Sequence, residues 1–205
     1  MKPRMITVAI MALGGQGGGV LQDWIVQLAE DAGWTAQATS VAGVAQRTGA
    51  TIYYVEILPD PEPGRLPVLA LMPFPGDVDV VIASELMEAG RAVQRGLVTP
   101  DRTTFIASSH RVYSMTEKTA MGDGRVDAGK LLDACKASAK TWICGDFAEA
   151  AERAGSVVSS ALLGALAGSQ ALPWPVEAFR DAIRRGGVGV DTSLSAFDAG
   201  LTLAA

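Results

Sequence analysis

Apolar positions fall into two rhythms along the chain. Met5 to Leu13 (MITVAIMAL) is a nearly unbroken apolar run, the pattern of a strand buried on both faces. Five glycines in six residues, Gly14-Gly15-Gln16-Gly17-Gly18-Gly19, follow it, and Val20 to Ala32 then reads as a helix. Apolar strand, glycine turn and helix together open a βαβ unit. Trp34 to Val41 alternates loosely and predicts a second strand, and the stretch 42–49 predicts a loop. Ala50 to Leu58 (ATIYYVEIL), rich in β-branched and aromatic residues, predicts a third strand. Pro59 to Pro67 holds four prolines and predicts an irregular excursion.

Val78 to Ala83 reads as a short buried strand, with Ser84 as the N-cap of a helix over Glu85 to Arg95 that stops at Gly96. Thr103 to Ala107 predicts another strand. Ser108-Ser109-His110 then falls where that strand ends, which in an open α/β sheet is the ligand-facing edge. Met115 to Arg125 reads as a polar loop, Asp127 to Lys140 as an amphipathic helix and Thr141 to Cys144 as a short strand. From Phe147 onward the strand pattern stops. Helices are predicted over Phe147–Ala154, Val157–Gln170 and Val176–Arg185, with a weaker one over Ser193–Leu203. The expectation is one α/β domain over residues 1–205: a doubly wound, mainly parallel, Rossmann-like sheet with a helical C-terminal tail from about residue 147.

Composition narrows the classes. A net charge of −5 with no basic stripe argues against a nucleic-acid partner. Hydrophobic residues make up 49% of the chain, yet no run reaches the roughly 18 apolar residues of a membrane helix. No membrane role is expected, and the surplus apolarity points to buried strands and subunit interfaces. The first apolar run ends in glycines rather than a small-residue cleavage site, so export is not expected and a cytoplasmic location is. Cys135, Cys144 and one histidine make no metal-ligand set, and an iron–sulfur cluster needs four ligands.

Glycines at such a turn let the backbone take positive φ and let another molecule approach closely. The following helix directs its free N–H groups and positive dipole end at the turn, which favours anions. Tight helix–sheet packing is the other reading. Two nucleotide fingerprints fail on frame: Val20 occupies the third glycine position of GxGxxG, no carboxylate closes the second strand at Thr39-Ser40-Val41, and no Gly-Lys-Ser/Thr completes a P-loop. Gly122-Asp123-Gly124 looks like the start of a thiamine-diphosphate magnesium motif, but the chain contains no Asn to complete it. His110 is the only histidine and no G-x-S-x-G elbow accompanies Ser108 or Ser109, so no catalytic residue is assigned. Ser109 and His110 remain secondary candidates. Arg47, beside Gln46 and Thr48 in a glycine-flanked loop, is a candidate for an anion or another subunit, or a solvated charge. Glu85 near a helix start reads as dipole compensation. Ser160, Gly164 and Gly168, four apart on a helix, permit either an internal seam or a subunit contact.

Ala12-Leu13-Gly14-Gly15-Gln16-Gly17, followed by Ala45-Gln46-Arg47-Thr48-Gly49-Ala50, resembles the gamma module of the 2-oxoacid:ferredoxin oxidoreductases. Ser109 to Tyr113, Glu117-Lys118, Ala120 to Gly124 and Ala154 to Val157 look like its indolepyruvate oxidoreductase subunit beta branch. The likeness runs from Met5 to about Ala199. It departs at Thr48, where the wider family tends to have glycine, and members of the branch can carry a long C-terminal extension beyond these residues.

The resemblance implies an accessory subunit of a complex that oxidatively decarboxylates a 2-oxoacid, an aryl-pyruvate such as indolepyruvate, with coenzyme A as co-substrate and ferredoxin as acceptor. Thiamine diphosphate, Mg and iron–sulfur clusters would sit on a larger partner subunit or domain, with none bound by this chain alone. The assembly would be a homo- or hetero-oligomer, and the isolated chain inactive. Gly14, Gly15, Gln16, Gly17 and Gly18, with Gln46, Arg47 and Thr48, would form the coenzyme A, substrate or subunit-contact surface. The alternative is a stand-alone small-ligand or nucleotide-binding Rossmann-like protein.

Overall fold

The computed structural model describes residues 4–42, 50–59, 68–113 and 115–205, without the side chains of Met115 and Thr116. Along the chain these form β1 (Ile6–Leu13), α1 (Gly18–Asp31), β2 (Thr35–Ala42), β3 (Ala50–Leu58), β4 (Val80–Ala83) and α2 (Leu86–Gln94). There follow β5 (Thr104–Ser108), α3 (Met115–Thr119), α4 (Ala128–Ser138), β6 (Thr141–Gly145), α5 (Phe147–Arg153), α6 (Val158–Ser169), α7 (Val176–Gly186) and α8 (Val190–Leu203). The expected α/β class holds. The loop expected over Met115–Arg125 begins with the short helix α3, and the weak last helix is a full one.

The six strands order as β2-β3-β1-β4-β5-β6. β1, β4, β5 and β6 are parallel, whereas β3 runs antiparallel to both its neighbours, β1 and β2. Only residues 43–49 separate β2 from β3. A parallel pairing needs a crossover of a dozen or more residues, so these two strands pair antiparallel. α1, by contrast, is such a crossover, and it brings β2 back in the direction of β1.

Side-chain alternation along β1 feeds two cores. Val8, Ile10 and Ala12 face α1 and the C-terminal helices, with Leu21, Ile25, Leu163, Phe147, Phe179 and Phe197. Ala9 and Met11 face α2 and α4, with Ala89, Ala92, Phe105 and Cys135. β4 (VVIA) is buried at every position, as a strand covered on both faces must be. α6 is buried along ten of its twelve residues because it lies between the sheet and α8.

The small-residue stripe on α6 is an internal seam. A Cβ on Gly164 would meet the Leu201 backbone N–H at 2.8 Å and the Phe197 carbonyl, and one on Gly168 would meet Ala204 at 3.2 Å. From the other side, a Cβ on Gly200 would strike the Ala161 backbone. The helix backbones touch where these glycines face each other.

Candidate functional site

β1 and β4 lie side by side, but α1 leaves β1 toward one face of the sheet and α2 leaves β4 toward the other. This is the topological switch point of an open α/β sheet, where a crevice opens beyond the carboxyl ends of the strands. The residues at this edge are Gly14 to Gln16 after β1, Ser84-Glu85 after β4 and Ser108 to His110 at the end of β5.

The glycine turn divides into two halves. Gly14 and Gly15 are exposed, Gly15 at φ 83°, and a Cβ on either would meet nothing within 4 Å. Gly17 and Gly18 face inward. Gly17 is the N-cap of α1 at φ 74°, and a Cβ there would meet the Ser159 Cβ at 2.9 Å at the start of α6. On Gly18 it would meet the Ala12 Cβ at 2.8 Å and the Tyr53 ring at 2.9 Å. Gly17 makes room for α6 and Gly18 for the sheet, and the outer pair leaves open space at the crevice.

Between the two halves, Gln16 turns its side chain back to the strand ends. The amide oxygen accepts the Leu13 N–H at 3.1 Å and the Ser84 hydroxyl proton. The amide nitrogen lies 3.3 Å from His110 Nε2. An amide –NH₂ only donates, so this imidazole nitrogen accepts, and the neutral ring carries its proton on Nδ1. Nδ1 lies 3.0 Å from the buried Ser108 Oγ, which also accepts the Ala148 N–H at 3.2 Å. The imidazole therefore donates to Ser108 and has no free lone pair with which to take its proton. This is a structural relay, unlike a serine–base pair, in which the base must accept from the hydroxyl. Burial holds the His110 pKa below its ordinary 6.5, consistent with a neutral ring.

Ser84 was expected to cap the next helix; the cap is instead Glu85. Its backbone is extended, and its carboxylate accepts the N–H groups of Met87 at 2.9 Å and Glu88 at 2.7 Å. Once Glu85 fills the cap, the Ser84 hydroxyl is free to serve Gln16. Glu85 is 1% exposed and also accepts the Val112 N–H at 3.3 Å, while the Leu86 N–H donates to the His110 carbonyl at 3.0 Å. Burial raises the Glu85 pKa, opposed by the backbone donors.

Of the expected residues, the structure brings together Gly14 to Gly18 and His110. Ser109 is near them through its backbone, its N–H donating to the Gly145 carbonyl at 2.9 Å. Gln46, Arg47 and Thr48 lie outside the described residues. Their flanks are placed: Ala50 pairs with Leu13, and Ala42 pairs with Thr51, so both ends of that segment are at the glycine-turn edge. Ser84, Glu85 and Ser108 had not been expected as site members. The Gln16–Ser84 bond spans 68 residues of sequence and leaves no local signal.

Asp123 of the GDG turn is paired with Arg125 at 2.8 Å, and this holds its pKa down at about 2. Burial pushes both thiols, Cys135 and Cys144, up to about 11. Neither environment suits a metal ligand, and among the described residues no group of three or more His, Cys, Asp or Glu is placed to hold a metal ion. No helix among them is long and apolar enough to cross a membrane.

Residues 7–203 match the protein family described as pyruvate ferredoxin/flavodoxin oxidoreductase. No curated protein matches the chain in sequence. Among solved structures, the pyruvate oxidoreductase subunit PORC of Thermotoga maritima superposes with a TM-score of 0.68 at 15% identity, covering 97% of this chain and 96% of that one. The gamma subunit of the keto/oxoacid ferredoxin oxidoreductase of Geobacter sulfurreducens gives 0.62 at 15% identity, covering 97% and 98%. The 2-oxoglutarate:ferredoxin oxidoreductase of Magnetococcus marinus, solved with 2-oxoglutarate, coenzyme A and succinyl-CoA, gives 0.59 at 17% identity. It matches 100% of this chain within 31% of its own. At these identities the likeness is one of fold.

Proposed function

The chain belongs to the pyruvate ferredoxin/flavodoxin oxidoreductase family, and from that membership we propose that it is the gamma-type accessory subunit of a 2-oxoacid:ferredoxin oxidoreductase. It caps the assembled active site and lines the coenzyme A and substrate entrance. The substrate in this reading is an aryl-pyruvate such as indolepyruvate, which rests on the sequence resemblance. Thiamine diphosphate, magnesium and the iron–sulfur clusters, which would carry the decarboxylation and electron transfer, belong to a larger partner subunit. The two high-pKa thiols and the Arg-paired Asp123 suit none of these groups.

The observation that carries this reading is the open outer half of the glycine turn. Gly14 and Gly15 leave unfilled space at the switch point, beside the N-terminus of α1, where backbone N–H groups favour an anion. The Gln16–His110–Ser108 relay holds that turn while supplying no nucleophile or free base. Such a surface binds and positions; it does not react. Arg47, from a segment whose two ends are at the same edge, is the cation proposed to meet the coenzyme A diphosphate.

A free-standing dinucleotide protein is the less favoured reading. In a Rossmann site the ribose-binding acid closes the strand next to β1; here β3 occupies that place and runs the opposite way. The test is the coenzyme A constant of the assembled complex with Arg47→Ala. A rise of about tenfold or more is expected for losing a charge-assisted phosphate contact, and an unchanged constant removes the anion role.

A further inference from the structure

We propose that the N-termini of α1 and α6 jointly hold a phosphoryl group, with the Ser159 hydroxyl donating to it between them. The site deepens the anion reading of the glycine turn, on which it rests, by adding a second set of donors from a distant part of the chain.

A helix leaves its first N–H groups without partners inside the helix and gathers positive charge there. A capping side chain or a first-turn acid ordinarily offsets both. Glu85 and Asp127 cap α2 and α4 through their side chains, and α7 and α8 carry Glu177 and Asp191 in their first turns. Among the described helices of eight residues or more, α1 and α6 alone have neither. Their N-caps are Gly17, which has no side chain, and Val157, whose side chain accepts nothing.

These two helix starts meet. A Cβ on Gly17 would strike the Ser159 Oγ first, with the Val157 Cγ2 3.4 Å from the same point. Two uncompensated positive ends therefore lie against each other. α6 carries no acid along its length, and the segment 43–49, whose ends are at the same edge, has none in its sequence. An anion shared by both ends stabilises such a pairing.

Ser159 points to a ligand independently of the helices. It is 0% exposed, and its Oγ has no hydrogen-bond partner. Buried hydroxyls are seldom left in this state, because the unmade bond costs free energy. The neighbouring serines are satisfied: the Ser156 Oγ lies 3.1 Å from the Ser160 Oγ and 3.4 Å from the Ser193 Oγ. The orphan is the serine that abuts the start of α1. The seam reaches the surface, since Val20 and Val157, one from each helix start, are both 47% exposed. Backbone N–H groups only donate, so the set suits phosphoryl oxygens and not a cation. The diphosphate of coenzyme A and free phosphate both offer that chemistry.

The test is titration of the full chain with inorganic phosphate, followed by calorimetry and thermal unfolding. The wild type is expected to bind phosphate at millimolar concentration or below, and its midpoint should rise with phosphate. Ser159→Ala removes a hydroxyl that the empty chain does not use. Without phosphate it should unfold at or above the wild-type midpoint, yet bind phosphate about tenfold more weakly. Val157→Asp sets a carboxylate at the α6 N-cap. It should raise the midpoint without phosphate and abolish the response to phosphate. Coenzyme A added to the phosphate-bound chain separates the sources: displacement assigns the site to the cosubstrate diphosphate, and retention assigns it to the free anion. A wild type that does not bind phosphate overturns the proposal, as does binding indifferent to both Ser159→Ala and Val157→Asp. An unchanged coenzyme A constant in Arg47→Ala would remove that cation and leave the phosphate titration to be judged by itself.

Discussion

The side chains of Gln16 and His110 meet at 3.3 Å across the carboxyl ends of β1 and β5, although 94 residues separate them in the chain. Through this contact the glycine turn is tied to β4 by Ser84 and to α5 by Ser108 and Ala148. Gln16→Ala would strand the Ser84 hydroxyl proton and the His110 acceptor, and leave the Leu13 N–H with only its longer contact to the Ser84 Oγ at 3.4 Å. The expected loss is about 1–3 kcal/mol, the cost of leaving buried polar groups unpaired, and denaturant midpoints measure it.

The two halves of the glycine turn should separate cleanly. Gly18→Ala pushes a methyl against Ala12 and the Tyr53 ring, and Gly17→Ala adds the penalty of positive φ. Each is expected to cost about 1–3 kcal/mol. Gly14→Ala meets open space and should leave thermal unfolding nearly unchanged. If Gly14→Ala destabilises the isolated chain as much as Gly18→Ala, the outer half is not an open surface.

Gly200→Ala should be, with Gly164→Ala, among the most damaging single methyls at the described glycines, because its neighbour is the Ala161 backbone rather than a side chain that can rotate. A loss of about 3 kcal/mol or more is expected, at the upper end for overpacking. Calorimetry reads this directly as a lowered midpoint.

Buried Glu85 and half-buried His110 give opposite slopes with pH. The folded pKa of His110 lies below its ordinary 6.5, so the unfolded chain binds more protons between those values. Stability therefore falls as pH drops below 6.5 and levels once the folded pKa is passed. Glu85 has a folded pKa above its ordinary 4.5, so stability falls as pH rises from 4.5 through that raised value. His110→Gln should flatten the first slope and leave the second, which unfolding series at stepped pH would resolve.

With both thiols pushed up to about 11, almost no thiolate exists at mildly alkaline pH. A chromogenic thiol reagent should label the native chain slowly and release two equivalents at once on denaturation. Rapid native labelling would contradict the buried setting of Cys135 and the half-buried one of Cys144.

The patterning revealed much of this fold and less of its site. Periodicity located β1, α1, β3 and the α4–β6 pair because each has its own local pattern. The direction of β3 was hidden, since strand pattern is the same in either direction and only the short 43–49 connection carries the clue. The glycine turn was visible from composition, but its division was not, because Tyr53 and Ser159 come from distant parts of the chain. Ser84 shows the same limit. A serine before a helix is an ordinary cap signal, and only the fold reveals that Glu85 caps while Ser84 reaches Gln16.

The accessory-subunit role is tested most directly by purifying the tagged chain from its native cells under anaerobic conditions. The predicted result is a brown complex containing a larger thiamine-dependent, iron–sulfur subunit. It should oxidise a 2-oxoacid in the presence of coenzyme A and ferredoxin, lose that activity when this chain is removed, and regain it when the chain is added back. A colourless chain that elutes without a larger subunit, or a complex whose activity is indifferent to its removal, would contradict it.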